Sequence, residues 1–390
     1  MSDAWCVLPW VHLCIRTDNI LKPCCRYLSE APTNELGINL DMIQSNGVAA
    51  LNNTKFSAIR KKMLAGERLA GCKKCHIQED HYKDTGRPSM RMTLNARFNS
   101  VTPNVCSTEF HSVRYIEMGI DNICNLQCKM CSSMFSSRLI NRDTVLGNPV
   151  YKKLEPNFQK LDNVDLSNLE YVKILGGEPF ITPNFVKFLD YLMLRVNPAN
   201  VEIEIASNGT VAPSNEVIDK LNMFKMLHIY VSLDSYSKSN DYQRYGGSYI
   251  QTFDNAALYR KVFKNVEVSF HTVVSILTAN DLANTLNILT KDYEYHVSVD
   301  FVRDPEHLSL LYAPQILKDW VLSANAHNQT AHHLLTTFLH SSNFDNDIWQ
   351  KFLDTTSTLD NYYNTNLDDY NAALSTFLND HGYRKTQAIL

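Results

Sequence analysis

From about residue 113 onward, short runs of β-branched and aromatic residues alternate with longer stretches whose apolar positions recur at helical spacing. The short runs predict strands at 113–119, 171–175, 201–206, 227–233, 266–274 and 296–302. Most are apolar enough to be buried on both faces, as strands of a parallel sheet are. The longer stretches predict helices over 184–196, 214–221, 249–263 and 281–292, with Asn184, Ser214 and Asp281 as capping residues. Six consecutive βα units fit a partial barrel; a doubly wound sheet shares the pattern, and periodicity alone does not separate the two.

The flanks read differently. Residues 1–95 form a small cysteine-rich domain, with turn signals at Lys22-Pro23, Ala31-Pro32 and Arg87-Pro88 and one clear helical stretch over 54–64. A polar linker over 96–112, containing Pro103, leads to the barrel of 113–305. Residues 306–390 are a helical extension rich in Asn, Asp, Leu and Tyr, with LDDYNAALSTFLNDHGYRK near the end. Its amphipathic spacing marks a cap or packing element.

Length and composition set limits on function. A chain of 390 residues has room for two or three domains, and 44% hydrophobic with 20% charged residues supports a large core. A net charge of -4 without a Lys/Arg run supports no nucleic-acid partner. No apolar stretch approaches the ~20 residues that span a bilayer, and the opening residues lack a secretory pattern. The expectation is therefore a cytoplasmic protein with no membrane partner.

All ten cysteines fall between Cys6 and Cys131. Without an export signal, grouped cysteines point to metal binding or catalysis rather than to disulfides. The densest group is Cys124-Asn-Leu-Gln-Cys128-Lys-Met-Cys131, spaced C-x3-C-x2-C just after the first predicted barrel strand. Three thiolates on one short loop suit an iron-sulfur cluster that keeps one iron open to an exogenous ligand. A structural zinc site normally takes four ligands.

This spacing resembles the defining motif of the radical S-adenosylmethionine (SAM) superfamily, whose fold is a partial (βα)6 barrel with the cluster loop after strand one. The resemblance implies that Cys124, Cys128 and Cys131 hold a 4Fe-4S cluster and that SAM chelates its open iron. Gly176-Gly177-Glu178-Pro179, after the second predicted strand, resembles the superfamily's GGEP motif, with Glu178 facing the SAM ammonium. Ser207 and Asn208 stand where superfamily members contact the SAM ribose, although Ser-Asn-Gly is also an ordinary turn. Ser232 and Arg244 resemble the SAM carboxylate contacts of the peptide-maturing branch, against a strand-end hydrogen bond and a surface charge. Met130, inside the loop, joins this cofactor-binding set.

A second constellation, Cys6, Cys24, Cys72 and Cys75, joins a close C-x2-C pair to two distant cysteines. It resembles the twitch domain, a short relative of the SPASM domain that carries an auxiliary 4Fe-4S cluster. Asn19 replaces the usual glycine of the pattern, and asparagine tolerates positive φ better than most residues. Cys25 is an alternative ligand to Cys24, and four-cysteine zinc is an alternative occupant. Cys14, Cys25 and Cys106 have no assigned partners and read mainly as buried small hydrophobes.

The fold class expected is α/β: a partial radical SAM barrel preceded by a twitch-like domain and followed by a helical extension. The function expected is reductive cleavage of SAM and hydrogen abstraction from a peptide, protein side chain or small metabolite. The auxiliary cluster suggests a net oxidation, and a flavodoxin or ferredoxin is the expected reductant. RNA modification and a non-catalytic metal-binding module are the alternatives, and no residue is assigned as catalytic.

Overall fold

The computed structural model describes residues 4–28, 36–80, 88–152, 154 and 157–383. The expected turns at Ala31-Pro32 and Arg87, and Arg384 and Lys385 at the end of the C-terminal stretch, lie outside the described residues. The chain forms two compact units, one built from 1–122, 153–205 and 215–227 and the other from 123–152, 206–214 and 228–390.

In the first unit, strands β1 (His12–Ile15), β2 (Leu21–Lys22), β3 (Tyr115–Gly119), β4 (Tyr171–Leu175) and β5 (Glu202–Ser207, of which 202–205 belong here) follow the order β2-β1-β3-β4-β5. β1 and β2 are antiparallel, while β1, β3, β4 and β5 run parallel. Every residue of β3 is buried, as expected of a central parallel strand. In the register of β1 with β3, Cys14 lies opposite Glu117.

Strands β3, β4 and β5 match the runs read from the sequence to within two residues. β1 and β2 escape that reading because they hold only four and two residues, shorter than the runs that periodicity resolves. Asn19, at φ +66°, turns the chain between them, and Arg16 N–H donates to the Ile20 carbonyl at 3.0 Å across the turn.

The expected helix Thr54–Leu64 is present, and Leu40–Asn46, Lys73–Asp80 and Met90–Arg97 accompany it. Arg60, fully buried, ties this region together by donating to the carbonyls of Thr108 (2.6 Å), Pro9 (3.0 Å) and Leu51 (2.6 Å). The helix Pro183–Arg195 starts one residue earlier than expected. Thr182, not Asn184, is its cap: the Thr182 hydroxyl accepts from Asn184 N–H, and Pro183 takes the first helical position.

The second unit contains β6 (Met226–Ser232, from His228 on), β7 (Val266–Val274) and β8 (Val297–Phe301) in the order β6-β7-β8, with β7 and β8 parallel. Ser248 caps the helix Tyr249–Val262. The next expected helix splits, Leu282–Leu286 running into a π turn at Asn287–Asp292, and Asp281 makes no capping bond.

The C-terminal region is helical, as expected, with Gln315–Ala324, Gln329–Leu339, Asn346–Tyr363 and Ala372–Asp380. Their apolar faces share one core with Val274, Leu282, Leu286 and Val299. Phe301 of β8 stacks on Phe338 with ring centroids 4.2 Å apart. Each fully buried side chain of this kind contributes about 1.5–3 kcal/mol, so the extension is integral to this unit. The chain is thus an α/β protein with a parallel sheet and a helical C-terminal region. Among the described residues no helix is long and apolar enough to cross a membrane.

Candidate functional site

The cysteine loop follows β3 in the chain and belongs to the second unit. Its backbone is held from three directions. Gln127 N–H donates to the Tyr245 carbonyl at 2.9 Å and Lys129 N–H to the Gln243 carbonyl at 2.7 Å. Arg142, almost wholly buried, donates to the carbonyls of Cys128 (2.9 Å) and Cys131 (2.5 Å). Asp143, also buried, pairs with the same guanidinium and accepts from Ser133 N–H at 2.7 Å.

The sulfurs have donors and counter-charges of their own. Leu126 N–H points at Cys124 Sγ at 3.4 Å, and Asn208 Nδ2 lies 3.8 Å from the same sulfur. Asn208 also donates to Asn125 Oδ1 at 2.8 Å and accepts from Thr210 N–H at 2.9 Å. Burial pushes the Cys131 thiol up to about 11, the neighbouring Cys124 adding to the rise while Arg142 and Arg244 oppose it. Burial raises Cys128 as well, with Arg244 as the main opposing charge. Mutual repulsion of thiolates is what a cationic iron core relieves, and donors aimed at sulfur are a feature of iron-sulfur sites. The residues therefore fit such a cluster.

Four further expected residues lie in this unit. Ser207, buried, accepts from Gly209 N–H at 3.0 Å, so the Ser-Asn-Gly segment is an ordered turn. Ser232 ends β6 and is half-buried. Arg244 is no surface charge: it is 8% exposed and directs Nε and Nη2 at Asp234, at 2.7 and 2.9 Å. Met130 packs against the core formed with the C-terminal helices.

Lys129, between Cys128 and Met130, is 5% exposed. Its ammonium stands 3.9 Å from the Tyr242 ring centroid and 5.3 Å from that of Tyr363, with no hydrogen-bond partner among the described residues. Tyr363 also stacks on Tyr245 at 4.1 Å. The extension thus reaches the cysteine loop.

In the first unit, Gly176 adopts φ +145°, and a Cβ there would sit 2.6 Å from the Asp121 carbonyl oxygen. Gly177 N–H donates to that same oxygen at 2.9 Å. The Asp121 carboxylate in turn accepts from the Thr182 hydroxyl and from Asn184 Nδ2. Glu178 is fully buried, its Oε1 accepting from Phe180 N–H at 3.2 Å, and Pro179 opens the turn behind it.

The other cysteine set also lies in the first unit. Burial raises the Cys24 thiol, and charge repulsion from Cys25, Cys6, Cys72 and Cys75 adds to it. Burial pushes Cys72 up to about 11, and the like charge of Cys75 adds to the rise. Arg91 opposes the rise at Cys6, Cys72 and Cys75. Its guanidinium pairs with Glu79 and donates to the Trp5 carbonyl at 2.6 Å. The Cys25 thiol is directed at Met90 Sδ, at 3.8 Å. Of the three remaining cysteines, only Cys14 is buried; Cys106 is half-buried and Cys25 exposed, which corrects the expectation of three buried small hydrophobes.

Sequence reading did not find Arg142, Arg91, Asp121 or Asp234. Their roles rest on partners reached through the fold, and no local spacing announces them.

The family model described as Radical SAM superfamily matches residues 119–289. Among solved structures, a histidine-tagged anSMEcpe with bound AdoMet is 17% identical over 55% of this chain and 57% of that one, with a TM-score of 0.41. SuiB of Streptococcus suis is 14% identical over 73% of this chain and 61% of that one, with a TM-score of 0.35. TYW1 with a lysine-pyruvate adduct bound is 16% identical over 55% and 74%, with a TM-score of 0.32. The chain spans a little over half the length of the first of these, 57%. No curated protein matches. The matched segment contains the cysteine loop, the Gly-Gly-Glu-Pro turn, the Ser-Asn-Gly turn and Arg244, so residues 119–289 are similar to the radical SAM superfamily.

Proposed function

We propose that the protein is a radical SAM enzyme whose Cys124, Cys128 and Cys131 hold a 4Fe-4S cluster, and that it abstracts hydrogen from a peptide, protein side chain or small metabolite. When bound, the cluster supplies the electron that cleaves SAM reductively. The observation that carries this reading is the loop itself: three thiols in eight residues, its backbone clamped by Arg142 and one of its sulfurs facing Leu126 N–H and Asn208.

The chain's own residues do the holding. Arg142 and Arg244 favour the thiolate forms on which iron ligation depends. Gly176 keeps its strand-end turn free of a Cβ. Gly177, Glu178 and Pro179 of the first unit are proposed as SAM-binding residues, as are Met130, Ser207, Asn208 and Ser232 of the second. Arg244 acts mainly through Asp234 and the thiolates, because two of its donors already face that carboxylate.

Cys6, Cys24, Cys72 and Cys75 are proposed to hold an auxiliary 4Fe-4S cluster in a twitch-like domain, with Arg91 as counter-charge. That Cys24 feels the other three thiols while the Cys25 thiol is directed at Met90 Sδ supports Cys24 as the ligand. An auxiliary centre suits a net oxidation, and a flavodoxin or ferredoxin is the proposed electron donor.

The test is anaerobic: cluster reconstitution, addition of SAM and a strong reductant, and quantification of 5'-deoxyadenosine against Cys124→Ala. Product that depends on Cys124 supports the reading. Equal product from both proteins, at full iron loading and with SAM bound, rejects it in favour of a non-catalytic metal-binding module.

A further inference from the structure

β1 and β3 place a second kind of donor set inside the first unit. His12 and Cys14 are two residues apart on β1 and so project to one face, and Cys14 lies opposite Glu117 in the parallel register. A ring nitrogen of His12, the Cys14 sulfur and a Glu117 oxygen all lie within 4.8 Å of one another. The Cys14 thiol donates to Glu117 Oε1 at 3.6 Å. The three residues are 3%, 2% and 3% exposed.

The surroundings hold these groups in place but leave one of them unsatisfied. The His12 ring stacks on Tyr115 at 4.0 Å, and its Nδ1 lies 3.3 Å from the Pro23 carbonyl, which a protonated Nδ1 donates to. That tautomer leaves a lone pair on Nε2, which is buried with no hydrogen-bond partner among the described residues. Leaving such an atom unpaired costs about 1–3 kcal/mol. An imidazole oriented by a carbonyl through one nitrogen, with the other nitrogen bare, is the usual arrangement of a metal ligand.

Glu117 is steadied by the Tyr115 hydroxyl, which donates to its Oε2 at 3.2 Å. Cys25, exposed at the surface, directs its thiol at Met90 Sδ at 3.8 Å and is not one of the group. Lys173, the nearby cation, is committed to Glu204 at 2.6 Å.

We propose that His12, Cys14 and Glu117 form a three-residue site for a single divalent ion of the zinc type, distinct from both cysteine sets above, with the fourth position left to water. Mixed N, S and O donors suit zinc, whose ligands stand about 2.0–2.3 Å from the ion, so that donor pairs are about 3.3–3.7 Å apart. The 3.6 Å sulfur-to-oxygen separation already has that spacing. Binding replaces the proton on the Cys14 thiol, which leaves to solvent, and uses the bare Nε2.

The test uses the full chain with its iron sites reconstituted, then exposed to zinc and desalted. Elemental analysis should find about one zinc per chain, and zinc-edge X-ray absorption should show a mixed shell of sulfur and nitrogen or oxygen. His12→Gln and Cys14→Ser should each weaken zinc binding at least tenfold with iron content unchanged, and Cys72→Ala/Cys75→Ala should keep the zinc. Absence of retained zinc in the wild type, zinc that survives both His12→Gln and Cys14→Ser, or zinc lost with Cys72 and Cys75 overturns the proposal. Should the His12 or Cys14 variants fail to fold, the wild-type spectrum decides: a mixed shell supports the site and a four-sulfur shell overturns it.

Discussion

Arg244 and Asp234 meet at two points inside the second unit, Nε standing 2.7 Å from Oδ2 and Nη2 2.9 Å from Oδ1. The same carboxylate accepts from Gln243 Nε2 at 2.5 Å and from Val273 N–H at 3.0 Å. Breaking such a buried pair by removing one partner typically costs about 3–5 kcal/mol. Arg244→Met should lower unfolding free energy by that order in urea titration, Arg244→Lys by less, and Asp234→Asn/Arg244→Met should recover part of the loss. If the double variant is as unstable as the single one, the pair is not the cause.

Gly176 is strained for any side chain, both by φ +145° and by the Asp121 oxygen 2.6 Å from where a Cβ would be. Gly176→Ala should destabilise by about 2–3 kcal/mol and weaken SAM binding. Gly37, at φ +68° with open space around it, provides the comparison. Gly37→Ala should cost only about 1 kcal/mol, and equal costs at the two positions would refute the close-approach argument.

Tyr363 joins the C-terminal helix Asn346–Tyr363 to the cysteine loop through Tyr245 and the Lys129 ammonium. Removing a buried aromatic side chain costs about 3–5 kcal/mol. Tyr363→Ala should therefore release iron from the Cys124 site during desalting, whereas iron at the four-cysteine set stays. Iron loss from both sets to the same extent would show general unfolding instead.

His307 is half-buried, and burial together with Lys351 and Arg142 holds its imidazole down at about 4. Between that value and the ordinary 6.5 the unfolded chain binds more protons than the folded one. Stability is therefore complete above pH 6.5 and falls as pH drops toward 4. After allowance for solvent screening the loss is of the order of 1–2 kcal/mol. His307→Gln should flatten this part of a pH series of urea titrations, and an unchanged slope would dismiss the group as its source.

The six strands of the βα region were legible because each is an apolar run of five to nine residues with turn signals on both sides. The cysteine loop was legible because its ligand spacing lies within eight consecutive residues. β1 was not, since His12-Leu13-Cys14-Ile15 is too short to show a period and forms a strand by pairing with β3, about a hundred residues on. Arg244 could also be read as a surface charge, because only the fold carries Asp234 to it.

The sequence by itself determined what depends on neighbours along the chain: the alternation of strand and helix, the turn at Asn19, and three thiols close enough to share one cluster. Tertiary structure decided which buried groups face each other. The clamp of Arg142 on the loop carbonyls, Asp121 beneath Gly176, Arg91 beside three of the four N-terminal thiols, and Cys14 opposite Glu117 are contacts set by strand register and helix packing. A one-residue slip would turn every side chain of β1 to the other face, so no reading of β1 alone could have joined His12 and Cys14 to Glu117.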